Sequence, residues 1–253
     1  MRLPFVAIAA LLMTLLLGPL VLLARLFRVP QGPNSVYAMA VRLWARTINR
    51  VAGVRVRVHG RERVHAEHGV VFASNHVSWF DIFALAGEVP WCSFIAKSEL
   101  RSIPLFGYAA EAVGIVFLDR ENRKAAFESY KVAAKEVQRG RAIIVCPEGT
   151  RGFDYHLRPF KKGPFVLAIA AQAPVVPTIV HGAREVMRKG SFWIRPGVVE
   201  IFFLEPVPTV GYDYEHRGEL MTSVWTAMAD ALRERYGVTS NERPIAAAGE
   251  RLE

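Results

Sequence analysis

The stretch Val70-Val71-Phe72-Ala73-Ser74-Asn75-His76-Val77-Ser78-Trp79-Phe80-Asp81 joins two apolar runs through a short polar segment. The first run, Val70–Ser74, predicts a strand that is buried on both faces. The second run, residues 79–86, is compatible with a helix. His76 therefore lies where a strand ends, which is where the loops of an open α/β sheet bind ligands.

His76 and Asp81 are candidates for a general-base pair. Of the seven histidines, only His76 has an acidic residue five positions further on. Imidazole has an ordinary pKa near neutrality, and a carboxylate bound to one ring nitrogen leaves the other nitrogen able to accept a proton. The spacing alone also fits a loop histidine that is paired for structural reasons.

Strand and helix patterns alternate along the chain. Strands are predicted over residues 54–58, 70–74, 94–97, 114–118, 142–146, 175–180 and 198–204, and helices over residues 79–86, 122–139, 163–172 and 215–236. This order predicts an α/β fold, a central mixed sheet flanked by helices. His76, Lys97, Glu148 and Arg151 all follow predicted strands, so we expect them to converge at one edge of the sheet.

Four spaced blocks carry a family resemblance. They are Asn75-His76-Val77-Ser78-Trp79-Phe80-Asp81, Gly114-Ile115-Val116-Phe117-Leu118-Asp119-Arg120, Pro147-Glu148-Gly149-Thr150-Arg151 and Val176-Pro177-Thr178-Ile179-Val180. In this order they resemble the NHxSxxD, GxxF[ILV]DR, PEGTR and VPxx[IV] blocks of the glycerolipid acyltransferases typified by 1-acylglycerol-3-phosphate acyltransferase. The resemblance covers about residues 54–210.

The resemblance implies a membrane-bound enzyme that makes phosphatidic acid. It would move a fatty acyl chain from a thioester of coenzyme A or acyl carrier protein to the second hydroxyl of 1-acylglycerol 3-phosphate. His76 would take the hydroxyl proton and Asp81 would orient the imidazole, with Ser78 capping the next helix rather than acting as a nucleophile. No metal or cofactor is expected. Another lysolipid, such as a lyso-ornithine lipid, is the alternative acceptor.

Substrate-binding candidates follow from the same blocks. Arg151 offers a planar fork of donors that suits a phosphate, and Lys97, in a stretch similar to the family's A-K-x-E-L, offers a compact cation. The alternative for Lys97 is an exposed lysine at a strand end. Glu148 could bind substrate or position Arg151, or it could pair with Arg151 for structure alone. The remaining candidates are Gly149, Thr150 and Arg120, the last of which also fits a salt-bridged turn.

Charge and cysteine content narrow the class of protein. A net charge of +9 over 253 residues predicts an anionic partner, which could be nucleic acid, an acidic membrane or a phosphorylated substrate. We expect no nucleic-acid binding because no such motif occurs. Arg158, Lys161 and Lys162 fit a solvated surface or a basic rim that faces a membrane. The two cysteines, Cys92 and Cys146, are expected to be buried.

The N-terminal region predicts attachment to a membrane. Residues 3–24 carry no charge, and a helix of that length would reach about 33 Å, although Pro4, Gly18 and Pro19 leave open whether it spans or half-inserts. A cleaved signal peptide is the alternative. Residues 36–48 repeat apolar side chains at helical spacing and predict a basic amphipathic helix, which packs either on the domain or on lipid.

The sequence predicts a division of the chain into three segments and a cellular location. We expect membrane-associating helices over residues 1–52, an acyltransferase domain over residues 53–237 and a flexible tail over residues 238–253. Arg25 and Arg28 after the apolar run favour an inner-membrane protein with its catalytic domain in the cytoplasm. Two other functions remain as alternatives. One is a lipid hydrolase, which the lack of a G-x-S-x-G elbow disfavours, and the other is a noncatalytic membrane-binding protein.

Overall fold

A computed structural model of the chain describes residues 2–64, 69–119 and 122–241. The strands are β1 (Val54–His59), β2 (Val70–Ser74), β3 (Cys92–Lys97), β4 (Val116–Leu118), β5 (Ala142–Val145), β6 (Val175–His181) and β7 (Gly197–Phe203). The helices are α1 (Leu3–Leu26), α2 (Val36–Ala52), α3 (Trp79–Glu88), α4 (Phe106–Ala112), α5 (Arg123–Gln138), α6 (Gly163–Ala171), α7 (Ala183–Val186) and α8 (Arg217–Tyr236).

The seven strands form one mixed sheet in the order β1-β7-β6-β2-β5-β3-β4, which confirms the predicted fold class. Within the described residues, the β6–β7 pair is antiparallel and five strand pairs are parallel. β2 lies at the centre between β5 and β6. All five of its residues are buried, as expected for a strand covered by helices on both faces.

Successive side chains of β2 point to opposite faces of the sheet and enter different cores. Val71 and Ala73 pack with residues of α5, α6 and α8. Val70 and Phe72 pack with residues of α2, α3 and α7 on the other face. The result is a three-layer arrangement in which the loops after the parallel strands β2, β3, β4, β5 and β6 meet at one edge.

Some element boundaries differ from the sequence prediction for identifiable reasons. β4 begins at Val116 rather than at residue 114, because Gly114 has φ +95° and lies against Arg141, whose Cζ would be 2.7 Å from a Cβ at this position. That backbone conformation suits a turn into a strand, not the strand itself. The sequence pattern also missed α4 and α7, which are short and have little periodicity to detect.

The two predicted N-terminal helices are present. α1 is long and apolar enough to cross a membrane, and Pro19 lies inside it without ending it. Many large apolar side chains of α1 are exposed: Phe5, Ile8, Leu11, Leu12, Leu15, Leu16, Leu20, Leu23 and Leu26. An exposed apolar face of this length is a surface that lipid would cover.

α2 packs on the domain, the first of the two arrangements its amphipathic pattern allowed. The Asn49 side-chain amide donates to the Phe83 carbonyl of α3 at 2.9 Å. Trp44 Nε1 donates to the Thr14 hydroxyl of α1 at 3.0 Å. α2 therefore joins the exposed helix α1 to the sheet domain. Association of α2 itself with lipid stays a prediction, as does the division of the chain at residues 52 and 237.

The predicted tail falls mostly outside the described residues, which end at residue 241. Its first residues are bound to the domain. Val238 N–H donates to the Leu232 carbonyl, and the Ser240 hydroxyl accepts from Leu157 N–H at 2.8 Å. The flexibility expected of residues 238–253 stays a prediction.

Buried Arg141 fixes the connection between α1 and α2 to the sheet. It is 1% exposed and binds the Glu136 carboxylate at 3.0 Å, the Val113 carbonyl at 2.6 Å and the Gln31 side chain. Gln31, between α1 and α2, in turn donates to the Ala112 carbonyl at 3.2 Å. Burial lowers the pKa of Arg141, and Glu136 opposes that shift. A buried cation held in this way leaves several groups unpaired if it is removed.

Replacing Arg141 should therefore be costly. We expect Arg141→Leu to reduce the free energy of unfolding in detergent by about 3 kcal/mol, because the half-buried Glu136 carboxylate and the buried Val113 carbonyl lose a partner. Arg139 binds the same Glu136 but is exposed, so Arg139→Leu should cost about 1 kcal/mol or less. Urea unfolding curves measure both, and equal losses would contradict the role assigned to Arg141.

Candidate active site

The loop between β2 and α3 owes its shape to a capping box. Ser78 is the N-cap of α3, and its hydroxyl accepts from Phe80 N–H at 3.2 Å. Asp81 stands three residues further on and accepts from Ser78 N–H at 2.8 Å. This reciprocal arrangement satisfies donors at the start of a helix that would otherwise lack partners. The helix-capping role predicted for Ser78 is confirmed.

The same Asp81 oxygen holds His76. Asp81 Oδ2 accepts from Val77 N–H at 2.7 Å and lies 2.9 Å from His76 Nδ1. Because the carboxylate is an acceptor, Nδ1 carries the proton and Nε2 is the nitrogen that can act as a base. Asp81 is completely buried at the N-terminus of α3, where the helix dipole favours its negative charge. The five-residue spacing thus places His76 two positions before the cap.

Asn75 fixes the end of β2, a role that the sequence reasoning did not assign. Its side-chain amide donates to the Val180 carbonyl at 2.9 Å, and its oxygen accepts from Val180 N–H at 2.7 Å. The side chain therefore continues the pairing between β2 and β6 where the β2 backbone turns away. The sequence does contain an indication of this role, because an asparagine that directly follows a buried apolar strand must find hydrogen-bond partners.

Glu148 binds different partners from those expected. The sequence offers a substrate or Arg151 as its partner, whereas in the structure Glu148 Oε2 lies 3.0 Å from Arg158 Nε, and Oε1 accepts from His76 N–H at 3.0 Å. Glu148 is only 3% exposed. Burial raises its pKa, while Arg158 and the His76 amide oppose that shift. Its carboxylate therefore ties the loop after β5 to the His76 loop, and it offers little surface to a substrate.

Two further residues of the loop after β5 face a cavity next to His76. Gly149 and Thr150 both line it. Gly149 has φ +82°, and a Cβ there would lie 2.6 Å from Lys161 Cε, so only glycine lets the lysine chain pass this close. Arg158 donates to the Thr150 carbonyl as well as to Glu148, which fixes the loop at a second point.

Two of the predicted phosphate-binding cations lie on the same cavity. The Arg151 guanidinium is 4.9 Å from the centre of the Trp79 ring, and burial lowers the pKa of Arg151 while Asp81 opposes that shift. Lys97 ends β3 and pairs with the Glu99 carboxylate at the exposed rim. Both side chains line the cavity together with His76. Arg120, the third predicted cation, lies outside the described residues.

The cavity has a volume of about 1860 Å³ and extends from the His76 loop to the N-terminal helices. Leu17 and Val21 of α1 form part of its far wall. Cys146 also lines it and is half-buried, which corrects the expectation that this cysteine is packed inside, whereas Cys92 is buried as predicted. The site therefore combines a polar end with a long apolar interior.

A three-layer α/β fold whose His–Asp pair opens on a large apolar cavity defines a class of proteins suited to amphiphilic ligands. The sequence model of the acyltransferase family matches residues 55–181 of this chain. This chain belongs to the acyltransferase family.

Named relatives and a solved structure agree with this family assignment. A putative 1-acyl-sn-glycerol-3-phosphate acyltransferase of Caenorhabditis elegans is 34% identical over 185 residues, which are 72% of this chain and 66% of that protein. The chain thus spans just under two thirds of that relative. The alpha form of the human enzyme is 31% identical over 81% of this chain and 73% of its own. The crystal structure of the 1-acyl-sn-glycerophosphate acyltransferase PlsC from Thermotoga maritima has a TM-score of 0.71 at 27% identity, covering 95% of this chain and all of that one.

The Glu148–Arg158 pair leads to a prediction about pH. Arg158→Met should leave a buried carboxylate unpaired and reduce the free energy of unfolding by about 3 kcal/mol at neutral pH. In the variant, the pKa of Glu148 in the folded state lies further above its pKa in the unfolded chain. The loss of stability relative to wild type should therefore be smallest at pH values below the unfolded-state pKa. It should grow as the pH rises through the folded-state pKa.

Unfolding curves recorded between pH 5 and pH 8 test this expectation. The double variant Glu148→Gln/Arg158→Met removes both charges and serves as the control. Its loss of stability should be smaller and nearly independent of pH. A deficit in Arg158→Met that stays constant across this range would show that Glu148 does not require Arg158 as its counter-ion.

Proposed function

We propose that this protein acylates the sn-2 hydroxyl of 1-acylglycerol 3-phosphate and so makes phosphatidic acid. The observation that carries the proposal is the 2.9 Å contact between His76 Nδ1 and buried Asp81, at the head of a cavity that reaches α1. A base at the polar end and an apolar interior suit a lipid with one reactive hydroxyl. The names of the relatives described above support this choice of acceptor.

The proposed reaction is a direct transfer. His76 Nε2 takes the proton of the acceptor hydroxyl as its oxygen attacks the carbonyl carbon of the acyl thioester. Asp81, hydrogen-bonded at Nδ1, stabilises the imidazolium that forms. The tetrahedral intermediate then collapses, the carbon–sulfur bond breaks, and the imidazolium returns the proton to the leaving thiolate. The products are an ester and a free thiol, and the histidine is neutral again.

The phosphate of the acceptor is assigned to Arg151 and Lys97. The Trp79 ring supports the Arg151 guanidinium on one face, and the Arg151 carbonyl accepts from Lys189 at 2.8 Å, so the arginine backbone is also held. A guanidinium fixed in this way can bind two phosphate oxygens at once. Lys97 offers its ammonium from the end of the neighbouring strand β3, and Glu99 would have to share or release it.

The apolar interior is assigned to a fatty acyl chain. The cavity passes from His76 and the β3 strand to a wall formed by α1, α2 and α4. An acyl chain lying there would keep its thioester near His76 while the donor's thiol group stays at the polar rim. Either coenzyme A or acyl carrier protein fits this arrangement as the carrier of the chain.

Membrane attachment follows from α1. Its apolar length and exposed face, together with the 1-acyl-sn-glycerol 3-phosphate named for its relatives, indicate association with a membrane. We place the protein at the inner membrane with the catalytic domain in the cytoplasm, because Arg25 and Arg28 follow the apolar run and cytoplasmic flanks carry such charges. The lysolipid would then enter the cavity from the bilayer beside α1.

Acyl transfer by single variants tests the base. With labelled acyl-coenzyme A and a panel of lysolipids, His76→Ala and Asp81→Asn should each slow formation of phosphatidic acid by roughly a hundredfold or more. His156 forms an exposed pair with Asp154 at 3.2 Å, so His156→Ala is a matched control that should keep the wild-type rate.

The outcomes of that assay separate the readings. Wild-type transfer only to another lysolipid, such as a lyso-ornithine lipid, would replace the acceptor and retain the chemistry. Release of free fatty acid without an acceptor would indicate a hydrolase. A folded His76→Ala variant with the wild-type rate would reject the proposed base.

The phosphate site gives a separate prediction. Arg151→Met should raise the KM for 1-acylglycerol 3-phosphate about tenfold or more, because a charge-assisted hydrogen bond to phosphate is lost. Lys97→Met should raise it by a smaller factor, since Lys97 is exposed and already paired with Glu99. Lys135→Met, an exposed lysine on α5, is the control for net charge. An unchanged KM in Arg151→Met would place the phosphate elsewhere.

A further inference from the structure

The segment between α7 and β7 presents two aromatic rings to solvent. We call residues 187–196 the aromatic loop. Phe192 is 73% exposed and Trp193 is 61% exposed, whereas their neighbour Ile194 is buried in the core beside α2 and α3. Arg195 N–H donates to the Val186 carbonyl at 2.9 Å and closes the loop at its base. The two rings are therefore held outward by an anchored loop.

The turn at the tip is also defined. Gly190 has φ +77°, and Ser191 N–H donates to the Arg188 carbonyl at 3.1 Å. The Ser191 hydroxyl accepts from Trp193 N–H at 3.0 Å. These hydrogen bonds hold the tip in the free protein, so little further ordering is needed if the rings bind a surface.

One end of the aromatic loop touches the candidate active site. The Met187 carbonyl accepts from the hydroxyl of Ser78, the cap of α3, at 2.7 Å. Lys189 Nζ donates to the carbonyl of Arg151 at 2.8 Å and lies 4.3 Å from the centre of the exposed Phe153 ring. A third exposed aromatic side chain, Phe153, thus lies next to this loop.

The other end lies beside the start of α1. A Cβ on Gly53 would be 3.0 Å from Pro196 Cβ and 2.4 Å from Arg2 Nη1, so the end of the loop and the residue that precedes α1 meet there. Val6 of α1 and Ile194 of the loop belong to the same buried cluster. The aromatic loop therefore bridges the active site and the first turn of α1, where Phe5 is exposed.

The charge of this region complements an anionic surface. Residues 184–195 contain four cations and one carboxylate, and Arg188 and Arg195 are exposed beside the two rings. Aromatic side chains prefer the interface between water and lipid, and arginine is attracted to anionic head groups. An acidic protein would meet the same charge, but the continuity with the exposed face of α1 favours lipid.

We propose that the aromatic loop is a second membrane contact, which inserts Phe192 and Trp193 into the head-group region of an anionic bilayer. The proposal rests on the proposed function in one respect, that the protein works at a membrane. A second contact beside the first turn of α1 would set the tilt of the domain. α1 alone leaves the domain free to rotate about one attachment, whereas a second contact holds the polar end of the cavity at the lipid surface.

Quenching of Trp193 by lipid tests the insertion directly. The full chain is bound to vesicles of phosphatidylcholine and phosphatidylglycerol, in a ratio of about three to one, whose acyl chains carry bromine near the head group. Comparison of wild type with Trp193→Phe isolates the signal of this residue from those of the other four tryptophans. We expect the Trp193 component to be quenched. Vesicle-bound wild type with no quenching of Trp193 would overturn the proposal.

Partition between vesicles and buffer gives a second measurement. Phe192→Ser/Trp193→Ser should lower the partition coefficient about tenfold, since two partly inserted aromatic side chains are lost. Val132→Ser/Val210→Ser removes two exposed apolar side chains elsewhere and should bind as wild type does. Arg188→Gln/Arg195→Gln should lower binding only when phosphatidylglycerol is present. Circular dichroism confirms folding, and a loop variant that partitions like the control would overturn the proposal.

Acyl transfer separates this inference from the proposed function. A soluble, short-chain acceptor should be acylated equally by wild type and Phe192→Ser/Trp193→Ser, whereas an acceptor embedded in vesicles should react more slowly with the variant. If wild type acylates neither acceptor, the proposed function fails while the quenching result still decides the membrane contact. Unchanged vesicle binding with slower transfer from acyl carrier protein alone would assign the loop to protein docking and overturn the proposal.

Discussion

One carboxylate oxygen, Asp81 Oδ2, shapes the site. It accepts from two backbone amides at the start of α3 and lies 2.9 Å from His76 Nδ1. The helix cap and the orientation of the imidazole therefore have the same cause. Because Asp81 is buried at the positive end of a helix, the helix dipole favours its negative charge there. Moving either residue by one position would separate the imidazole from the helix cap.

The loops around His76 depend on buried polar contacts of the same kind. Asn75 joins the end of β2 to Val180 of β6, and Glu148 joins the His76 amide to Arg158. Each partner would be costly to leave unpaired in this environment. These contacts position the backbone so that Arg151 and Gly149 line the cavity. The rigid edge of the sheet thus positions a site that consists mostly of loop residues.

The cavity connects this polar edge with the N-terminal helices. α2 is packed on α3 and holds α1 against the domain, so that α1 offers one face to the cavity and another to the surroundings. Arg141 fixes the link between the two helices through Gln31. Under the proposed function, the membrane element and the wall of the acyl site are one helix, and a lipid could pass from the bilayer to the base without crossing water.

The sequence by itself determined the strand order along the chain, the two N-terminal helices, the capping by Ser78 and the pairing of His76 with Asp81. All of these depend on residues close together in the chain, through periodicity or through spacings of three to five residues. Only the tertiary structure decided that Glu148 binds Arg158 rather than Arg151, that Asn75 completes the pairing with β6, and that Cys146 lines the cavity. These contacts join residues far apart in the chain or depend on how separate elements pack, and local sequence patterns carry no record of which distant partner the folded sheet brings near.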